Sequence, residues 1–574
     1  MPRVAATGVQ DFSKLIRKNC FYVDKTLFMK EWWENEDDIT LITRPRRFGK
    51  TLTMDMVYRF FSIQGKKENS DLFAGLDIWK EEKYRGLQGG YPVIYLSFAD
   101  IKEHNFEDAK KNICRLLSEE YDKHAFLLSY ANLSENERAT FHKKTPEMDD
   151  VEAKNALRQL SNYLSRYYGE KVIILLDEYD TPMQEAFLNG YWEEMSGFMN
   201  GLLNATFKTN PYLERALLTG ITRVGKESIF SDLNNLEAIT VFSEKYAASF
   251  GFTENEVFEA LMEYGLEQHF EEVKHWYDGF TFGSRANIYN PWSITQFLSK
   301  KEFKPYWANT SSNQLISELI KHSGSHIKQA MENLLQGGHI YMSFDEEVVF
   351  HQLKYSNGAI WSLMVSSGYL KVTDVIIDFM ERQQYELDIT NYEVLQMLRK
   401  MFIDWFYGDD YDIVGFCKYL LAGDIKNMQM ALGKELITML SCFDTANENS
   451  YHMFVLGLVA CLQPIYTIKS NLETGYGRCD TVLYPKNNSG DAIILEYKKV
   501  QKDSGQTLEE KVREALQQII EKRYIAELEE MGVPYDKIRI YGFAFKGKEV
   551  MIDGGYFTDI QGRLLGSENM ADGF

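Results

Sequence analysis

The chain has 574 residues, enough for about three or four domains, and a formal charge of −21, which argues against a general nucleic-acid coat while leaving a single local cleft open. The composition is that of an ordinary globular protein, rich in Tyr and Phe and poor in Pro, with no low-complexity tract or internal repeat. Met1-Pro2-Arg3-Val4 begins no signal-peptide pattern. The longest apolar stretch, Phe454 to Tyr466, is too short to span a bilayer and reads as a buried helix. The six scattered cysteines form no C-x-x-C pair and read as reduced core thiols, so a cytoplasmic protein with no membrane partner is expected.

In chain order, the first informative segment is an apolar run, Ile39-Thr40-Leu41-Ile42, then Arg44-Pro45-Arg46-Arg47-Phe48-Gly49-Lys50-Thr51, then an apolar-periodic run from Leu52 to Phe61. That order is strand, loop, helix, the setting in which backbone N–H groups and a helix N-terminus cradle a triphosphate. In a P-loop, Lys50 would reach the β- and γ-phosphates and the Thr51 hydroxyl would ligate Mg²⁺. Arg44 stands where the G-x-x-x-x-G-K-[ST] pattern has its first glycine. Arginine does not share glycine's access to positive φ, so the start of the loop is expected to differ from a standard P-loop. Arg46 and Arg47 either add charge toward phosphate or face solvent. Read alone, Gly49-Lys50-Thr51 is equally a turn entering a helix.

Val172-Ile173-Ile174-Leu175-Leu176-Asp177-Glu178 shifts that balance toward nucleotide binding. A fully apolar run is a buried parallel strand, and acids at its C-terminal end fall at the ligand crevice of an α/β sheet. This is the form of a Walker B, with Asp177 holding Mg²⁺ through water and Glu178 polarising the attacking water. Tyr91 to Phe98 and Arg215 to Gly220 read as further strands separated by helical stretches, which predicts a parallel α/β sheet. The latter ends in Thr219-Gly220-Ile221-Thr222-Arg223, where Thr219 and Arg223 are placed to sense phosphate or, equally, are a strand-end hydroxyl and a surface arginine. From Gly251 the pattern becomes helical: Thr253 and Glu256 form a capping box ahead of Val257, Leu261 and Met262. Residues 251–345 are read as a helical lid and 346–400 as a small mixed segment ending in helix. The aromatic segments Trp276-Tyr277-Asp278-Gly279 and Tyr289-Asn290-Pro291 read as core punctuation within it.

Tyr22-Val23-Asp24-Lys25-Thr26, Arg44 to Thr51, Asp177-Glu178-Tyr179-Asp180, Ser228 to Asn235, Trp276 to Phe280 and Tyr289 to Ser293 together resemble the AAA-ATPase-like family over most of residues 8–310. In that family Arg-Pro-Arg-Arg-Phe-Gly-Lys is the usual form of the loop. The resemblance implies a P-loop NTPase using ATP and Mg²⁺, with Arg46, Arg47, Gly49, Lys50, Thr51, Asp177 and Arg223 around the nucleotide.

Near the C-terminus, Gly477-Arg478-Cys479-Asp480-Thr481-Val482-Leu483-Tyr484 and Asp491-Ala492-Ile493-Ile494-Leu495-Glu496-Tyr497-Lys498 read as the two strands of a hairpin. Alternation puts Glu496 and Lys498 on one face, where Asp480 on the partner strand can converge with them. Two carboxylates are hard oxygen ligands for Mg²⁺, and a lysine beside them can orient or stabilise hydroxide. Glu-x-Lys alone is common on a solvated hairpin face. The weight comes from a following helix from Ala515 to Tyr524 and from Glu448, which precedes Tyr451-His452 and could add a third carboxylate. His452 itself reads as a packed, hydrogen-bonded residue before it reads as a base.

The order helix, Asp strand, Glu-x-Lys strand, helix, with Tyr451-His452, Gly477-Arg478-x-Asp480, Glu496-Tyr497-Lys498 and Gln518-Ile519, resembles the PD-(D/E)XK nuclease superfamily over roughly residues 435–550. The resemblance implies Asp480 and Glu496 as metal ligands, Glu448 as an extra one, Lys498 as the catalytic lysine, and Gln518 and Tyr524 in support. The expected architecture is α/β throughout: a P-loop NTPase parallel sheet over 1–250, a helical lid and small mixed segment over 251–400, and a restriction-endonuclease-like α/β domain over 401–574. The expected function is ATP binding and hydrolysis that controls Mg²⁺-dependent phosphodiester cleavage of nucleic acid, DNA before RNA, and it is compatible with self-association. The alternative is an ATP-gated nucleic-acid-binding switch or scaffold whose nuclease fold does not cut.

Overall fold

The computed structural model describes residues 2–222, 230, 233–307, 314–321, 323, 325–335, 337–344, 353, 357–377, 382–407, 413–438, 448–459, 462, 465–474, 477–486, 490–501 and 504–568. The chain divides into two compact units, one of residues 1–330 and 339–397, the other of residues 331–338 and 398–574. Among the described residues no helix is long and apolar enough to cross a membrane.

The first unit is organised by five short parallel strands: β1 (Ile39–Thr43), β2 (Val93–Ser97), β3 (Val172–Asp177), β4 (Leu213–Gly220) and β5 (Leu236–Ile239), in the order β2-β3-β4-β1-β5. Every residue of β1 and β3 is buried, which is why their sequences are continuous apolar runs: helices cover both faces of the sheet. The helix Lys50–Phe61 follows β1 and turns Met54, Val57, Phe60 and Phe61 into a core shared with Ile42, Ile173, Leu175 and Leu217. The amphipathic helices Phe106–Lys123, Asp150–Tyr168 and Trp192–Phe207 also pack within this unit, and two of them start on side-chain caps, Asn105 and Asp149. Because β4 lies between β1 and β3, the C-terminal end of β4 is flanked by the phosphate-loop candidate and by the acidic strand end.

Beyond β5 the unit holds more strand than the helical reading of 251–345 expected. A three-stranded antiparallel sheet joins β6 (Phe252–Thr253), β7 (Phe280–Phe282) and β8 (Arg285–Tyr289) in the order β6-β8-β7. Strands this short cannot display a period of two. The Thr253–Glu256 capping box does start the helix Glu254–Tyr264, and the aromatic segments supply core: Tyr277 and Tyr289 are buried with Val257, Leu261 and Phe297. A second small sheet, β9 (Ile340–Met342), β10 (Leu370–Ile377) and β11 (Gln383–Ile389), is ordered β10-β11-β9.

The second unit is built on a mixed sheet of β12 (Tyr466–Thr474), β13 (Gly477–Pro485), β14 (Ala492–Lys499), β15 (Ile538–Lys546) and β16 (Glu549–Tyr556), in sequence order. Only β14 and β15 are parallel, and the helix Leu508–Glu521 makes their crossover. Side chains alternate along β14: Ile493, Leu495 and Tyr497 join a core with Tyr451, Phe454 and Val455 of the helix Glu448–Val459, whereas Ala492 and Ile494 pack with Val512, Leu516 and Ile519 of the crossover helix. The apolar stretch expected as one helix from 454 to 466 is divided: the helix ends at Val459 and Tyr466 begins β12.

Gly542 on β15 lets the crossover helix lie close, since a Cβ there would sit 2.8 Å from the Val512 carbonyl oxygen and 3.1 Å from Ala515 Cβ. Gly542→Val is expected to destabilise the second unit by about 1–3 kcal/mol through overpacking, measured by urea denaturation.

Candidate active sites

The phosphate-loop candidate leaves β1 at Arg44 and enters its helix at Gly49. Gly49, at φ 85°, and Arg47, at φ 67°, take the left-handed turns; Arg44 does not. Arg44 instead continues the strand, its N–H donating to the Gly220 carbonyl at 3.2 Å. Its side chain is fully buried: Nη1 donates to the Thr43 and Thr240 carbonyls at 2.9 and 2.7 Å, and the guanidinium lies 4.5 Å from the Phe282 ring centroid. Burial lowers its pKa to about 9. The residue that replaces the missing glycine is therefore a packed strut. Phe48 packs at the other end of the loop against Phe280 and Phe282, with centroids 4.8 and 5.4 Å away.

Lys50 is also buried and donates from Nζ to the Arg44 and Pro45 carbonyls at 2.9 and 3.0 Å. Burial lowers its pKa, opposed by Glu178, Asp180 and Asp177. The Thr51 hydroxyl donates to Asp177 Oδ2 at 2.8 Å, and the Thr219 hydroxyl donates to Asp177 Oδ1 at 2.5 Å. Three residues from three sequence-distant segments thus meet at one carboxylate, whose pKa burial raises. Glu178 follows in the left-handed region at φ 50°, its N–H 3.4 Å from Thr219 Oγ1 and its Oε2 accepting from the Thr181 hydroxyl at 3.4 Å. Lys50, Thr51 and Glu178 all line a cavity of about 720 Å³, within the range of nucleotide-sized sites. Arg46 and Arg47 line it too: half-buried Arg46 donates from Nη2 to Gln184 Oε1 at 3.3 Å, and Arg47 is exposed, with its guanidinium 4.6 Å over the Trp292 ring. Arg223 lies outside the described residues.

Sequence reasoning assigned no role to Asp180, although it is buried behind this site. Its Oδ2 accepts from the Ile221 and Thr222 N–H groups at 2.9 Å each, and from the Thr222 hydroxyl and Gln184 Nε2 at 3.0 Å. This ties the turn after β3 to the end of β4. A Cβ on Gly220 would lie 2.8 Å from Asp180 Oδ1, so the close approach requires glycine there. The only sequence sign was an acid three residues beyond Asp177.

The second site forms where the β13–β14 ladder opens. Backbone pairing holds Thr481 opposite Leu495. One residue further, carboxylates take over the backbone donors: the Tyr497 N–H donates to Asp480 Oδ2 at 2.8 Å, and the Asp480 N–H is 3.4 Å from Glu496 Oε2. Asp480 is the fourth residue of β13, inside the strand. Lys498 Nζ lies 3.1 Å from Glu496 Oε1, on the same face as alternation requires. Gln518, on the crossover helix, donates from Nε2 to Glu496 Oε1 and to the Tyr524 hydroxyl, the latter at 2.8 Å; that helix ends at Glu521, before Tyr524. Glu496 is 1% exposed, and burial, with Asp480 beside it, pushes its pKa well above the usual carboxylate range.

Glu448 begins the helix Glu448–Val459, but its side chain lies outside the described residues. His452 is packed: its ring stacks on Tyr497 with centroids 5.0 Å apart, and Nε2 is 3.2 Å from the Thr481 hydroxyl. Among the described residues no cluster of three His, Cys, Asp or Glu side chains could enclose a metal. The Asp480–Glu496 pair suits an ion that keeps much of its hydration, as Mg²⁺ does.

Two outcomes follow from these environments. Arg44→Gly restores the missing glycine yet is expected to destabilise the first unit by about 1–3 kcal/mol, because it removes a buried side chain and two carbonyl partners; chemical denaturation measures this. Glu496 binds its proton more tightly folded than unfolded. The metal-free protein should therefore lose stability as pH rises from the ordinary carboxylate range through that raised value. Denaturation in chelator at about pH 5.5 and about pH 8 should show the decline, and Glu496→Gln should abolish it.

Comparison with known proteins agrees with both geometries. The family described as "Predicted AAA-ATPase" matches residues 6–230, and the PD-(D/E)XK nuclease superfamily matches residues 446–554. A relative from Azotobacter chroococcum mcd 1, described as an uncharacterized protein in the vnfD 5' region, is 26% identical over 559 residues, covering 94% of this chain and 95% of its own length. The chain carries a domain of the predicted AAA-ATPase family over residues 6–230 and a domain of the PD-(D/E)XK nuclease superfamily over residues 446–554.

Proposed function

We propose that the protein binds and hydrolyses ATP with Mg²⁺ at the cavity around Lys50, and that its nucleotide state controls Mg²⁺-dependent cleavage of nucleic acid, DNA before RNA, at Asp480, Glu496 and Lys498. The observation that carries the reading is the opening of the β13–β14 ladder, where two carboxylates and a lysine converge within one chain that also brings Thr51 and Thr219 onto Asp177.

At the first site, Lys50 exchanges the Arg44 and Pro45 carbonyls for phosphate oxygens, a charge-assisted partner that better compensates a buried ammonium. Asp177 and Thr51 would hold Mg²⁺, which supplies charge neutralisation between the phosphates. Glu178 orients the attacking water, and Thr219, already on Asp177, reports the state of that carboxylate. The lid is assigned to residues 251–345, with the small mixed segment over 346–400. At the second site Asp480 and Glu496 would hold Mg²⁺, which supplies Lewis acidity and a more acidic water. Lys498 steadies the anionic form of the nucleophile, and Gln518 keeps Glu496 facing the site. Control of one site by the other is a population shift between two arrangements of the chain. A cytoplasmic location belongs to the same proposal, motivated by the buried thiols of Cys20, Cys114 and Cys479.

The test is cleavage of labelled single- and double-stranded DNA and RNA with Mg²⁺ or Mn²⁺, with and without ATP. Asp480→Ala should reduce cleavage by about 100-fold or more, Glu178→Gln should slow ATP turnover by about 100-fold while retaining ATP binding, and Lys50→Ala should remove ATP dependence. Absence of cleavage by the wild type under every condition would leave nucleic-acid binding without cutting as the function. Cleavage indifferent to ATP and to Lys50 would refute the control.

A further inference from the structure

The phosphate loop has one glycine where a standard loop has at least two, and it places a non-glycine residue, Arg47, in the left-handed region. Such a backbone persists only where its surroundings over-determine it. The surroundings lie far along the chain. The Arg46 carbonyl accepts two hydrogen bonds, from Asn290 Nδ2 at 3.2 Å and from the Trp307 indole N–H at 3.0 Å. Both donors are buried, with Asn290 at 0% and Trp307 at 2% exposure.

The residues that supply these donors are themselves held. Asn290 Oδ1 caps the helix Pro291–Lys300, accepting from the Trp292 and Ser293 N–H groups at 2.9 and 3.3 Å. Glu393, 1% exposed, accepts from the Ser293 hydroxyl at 2.8 Å and from the Trp307 N–H at 2.6 Å. One buried carboxylate thus links the first turn of the Asn290-capped helix to the backbone of Trp307. The next residue of that helix start, Trp292, carries the Arg47 guanidinium.

We infer that Asn290, Trp307 and Glu393 are positioning residues for the phosphate loop, setting its shape from beyond residues 6–230, the stretch that the ATPase family model matches. The inference rests on the nucleotide-binding reading above. In a planar trans peptide the C=O and N–H point to opposite sides. With the Arg46 oxygen drawn to Asn290 and Trp307, the Arg47 N–H is turned the other way, as a donor to phosphate in the cavity that Arg46 to Thr53 line. What glycine's freedom does in a standard loop, two side-chain donors more than 240 residues away do here. Glu393 acts one step further back, through Ser293 and Trp307.

The test uses the full chain and compares binding of Mg-ATP and AMP by calorimetry, with Mg-ATP turnover in parallel. Asn290→Asp keeps the capping oxygens and removes the amide donor. Trp307→Phe keeps an aromatic ring and removes the N–H. Each is expected to weaken Mg-ATP binding by about tenfold, the effect of one lost buried hydrogen bond, and to shrink the preference for ATP over AMP. Glu393→Gln, which retains one carbonyl acceptor, should have a smaller effect in the same direction. The ATP-to-AMP preference does not depend on the fraction of folded protein, so a variant that is only destabilised leaves it intact. Wild-type binding of ATP with an unchanged preference in Asn290→Asp and Trp307→Phe would overturn the positioning role and leave the nucleotide site standing. No ATP binding by the wild type would overturn both.

Discussion

A fully buried arginine at the start of a phosphate loop is the constraint from which the first unit is best understood. Arg44 occupies a position where glycine would leave the backbone free, and its guanidinium lies among carbonyls and the Phe282 ring instead of reaching for phosphate. Nη1 donates to two carbonyls, whereas Nε and Nη2 are buried without a hydrogen-bond partner among the described residues, so the charge is faced largely by polarisable groups. Those groups come from Thr240 and from the small β6–β8–β7 sheet. The loop, the sheet beneath it and the elements after residue 240 therefore form one packing problem. The family match over 6–230 covers Lys50, Thr51 and Asp177 but not Asn290 and Trp307, which hold the Arg46 carbonyl.

Asp177 illustrates how strand order builds a site. Thr51, Asp177 and Thr219 are up to 168 residues apart in sequence, yet β4 lies between β1 and β3, so all three reach the same edge of a parallel sheet. The crevice at the C-terminal ends of parallel strands is where backbone turns away and side chains are left to meet. Asp180 then locks that edge by accepting from the backbone just past β4.

The second unit solves a different problem. A pair of carboxylates on adjacent strands repels and is costly to bury. Here the strands separate at the pair, and backbone N–H groups that would have closed the ladder donate to the carboxylates. Lys498 and Gln518 satisfy Glu496 from the same face and from the crossover helix. Gly542 permits that helix to lie close enough for Gln518 to reach.

Much of this was legible in the chain. Continuous apolar runs marked β1, β3 and β14 because both faces of those strands are covered. The Gly49-Lys50-Thr51 and Asp177-Glu178 pairs marked the strand ends, and the Glu496-x-Lys498 alternation marked a shared face. These are local signals, carried by period and by residue type. The strands β6 to β8 were not legible, since two to five residues show no period and their aromatics read equally as turns. Nor was the inward turn of Arg44, because arginine is ordinarily a surface residue and only the packed acceptors around it reverse that. Asn290, Trp307 and Glu393 carried no sequence sign of touching the loop, because nothing local records which carbonyl a distant amide will meet. The sequence by itself determined which strands are buried and which groups stand at their ends. Tertiary structure alone decided which of those groups face one another, because hydrogen bonds and ring contacts depend on ångström distances that the order of residues does not encode.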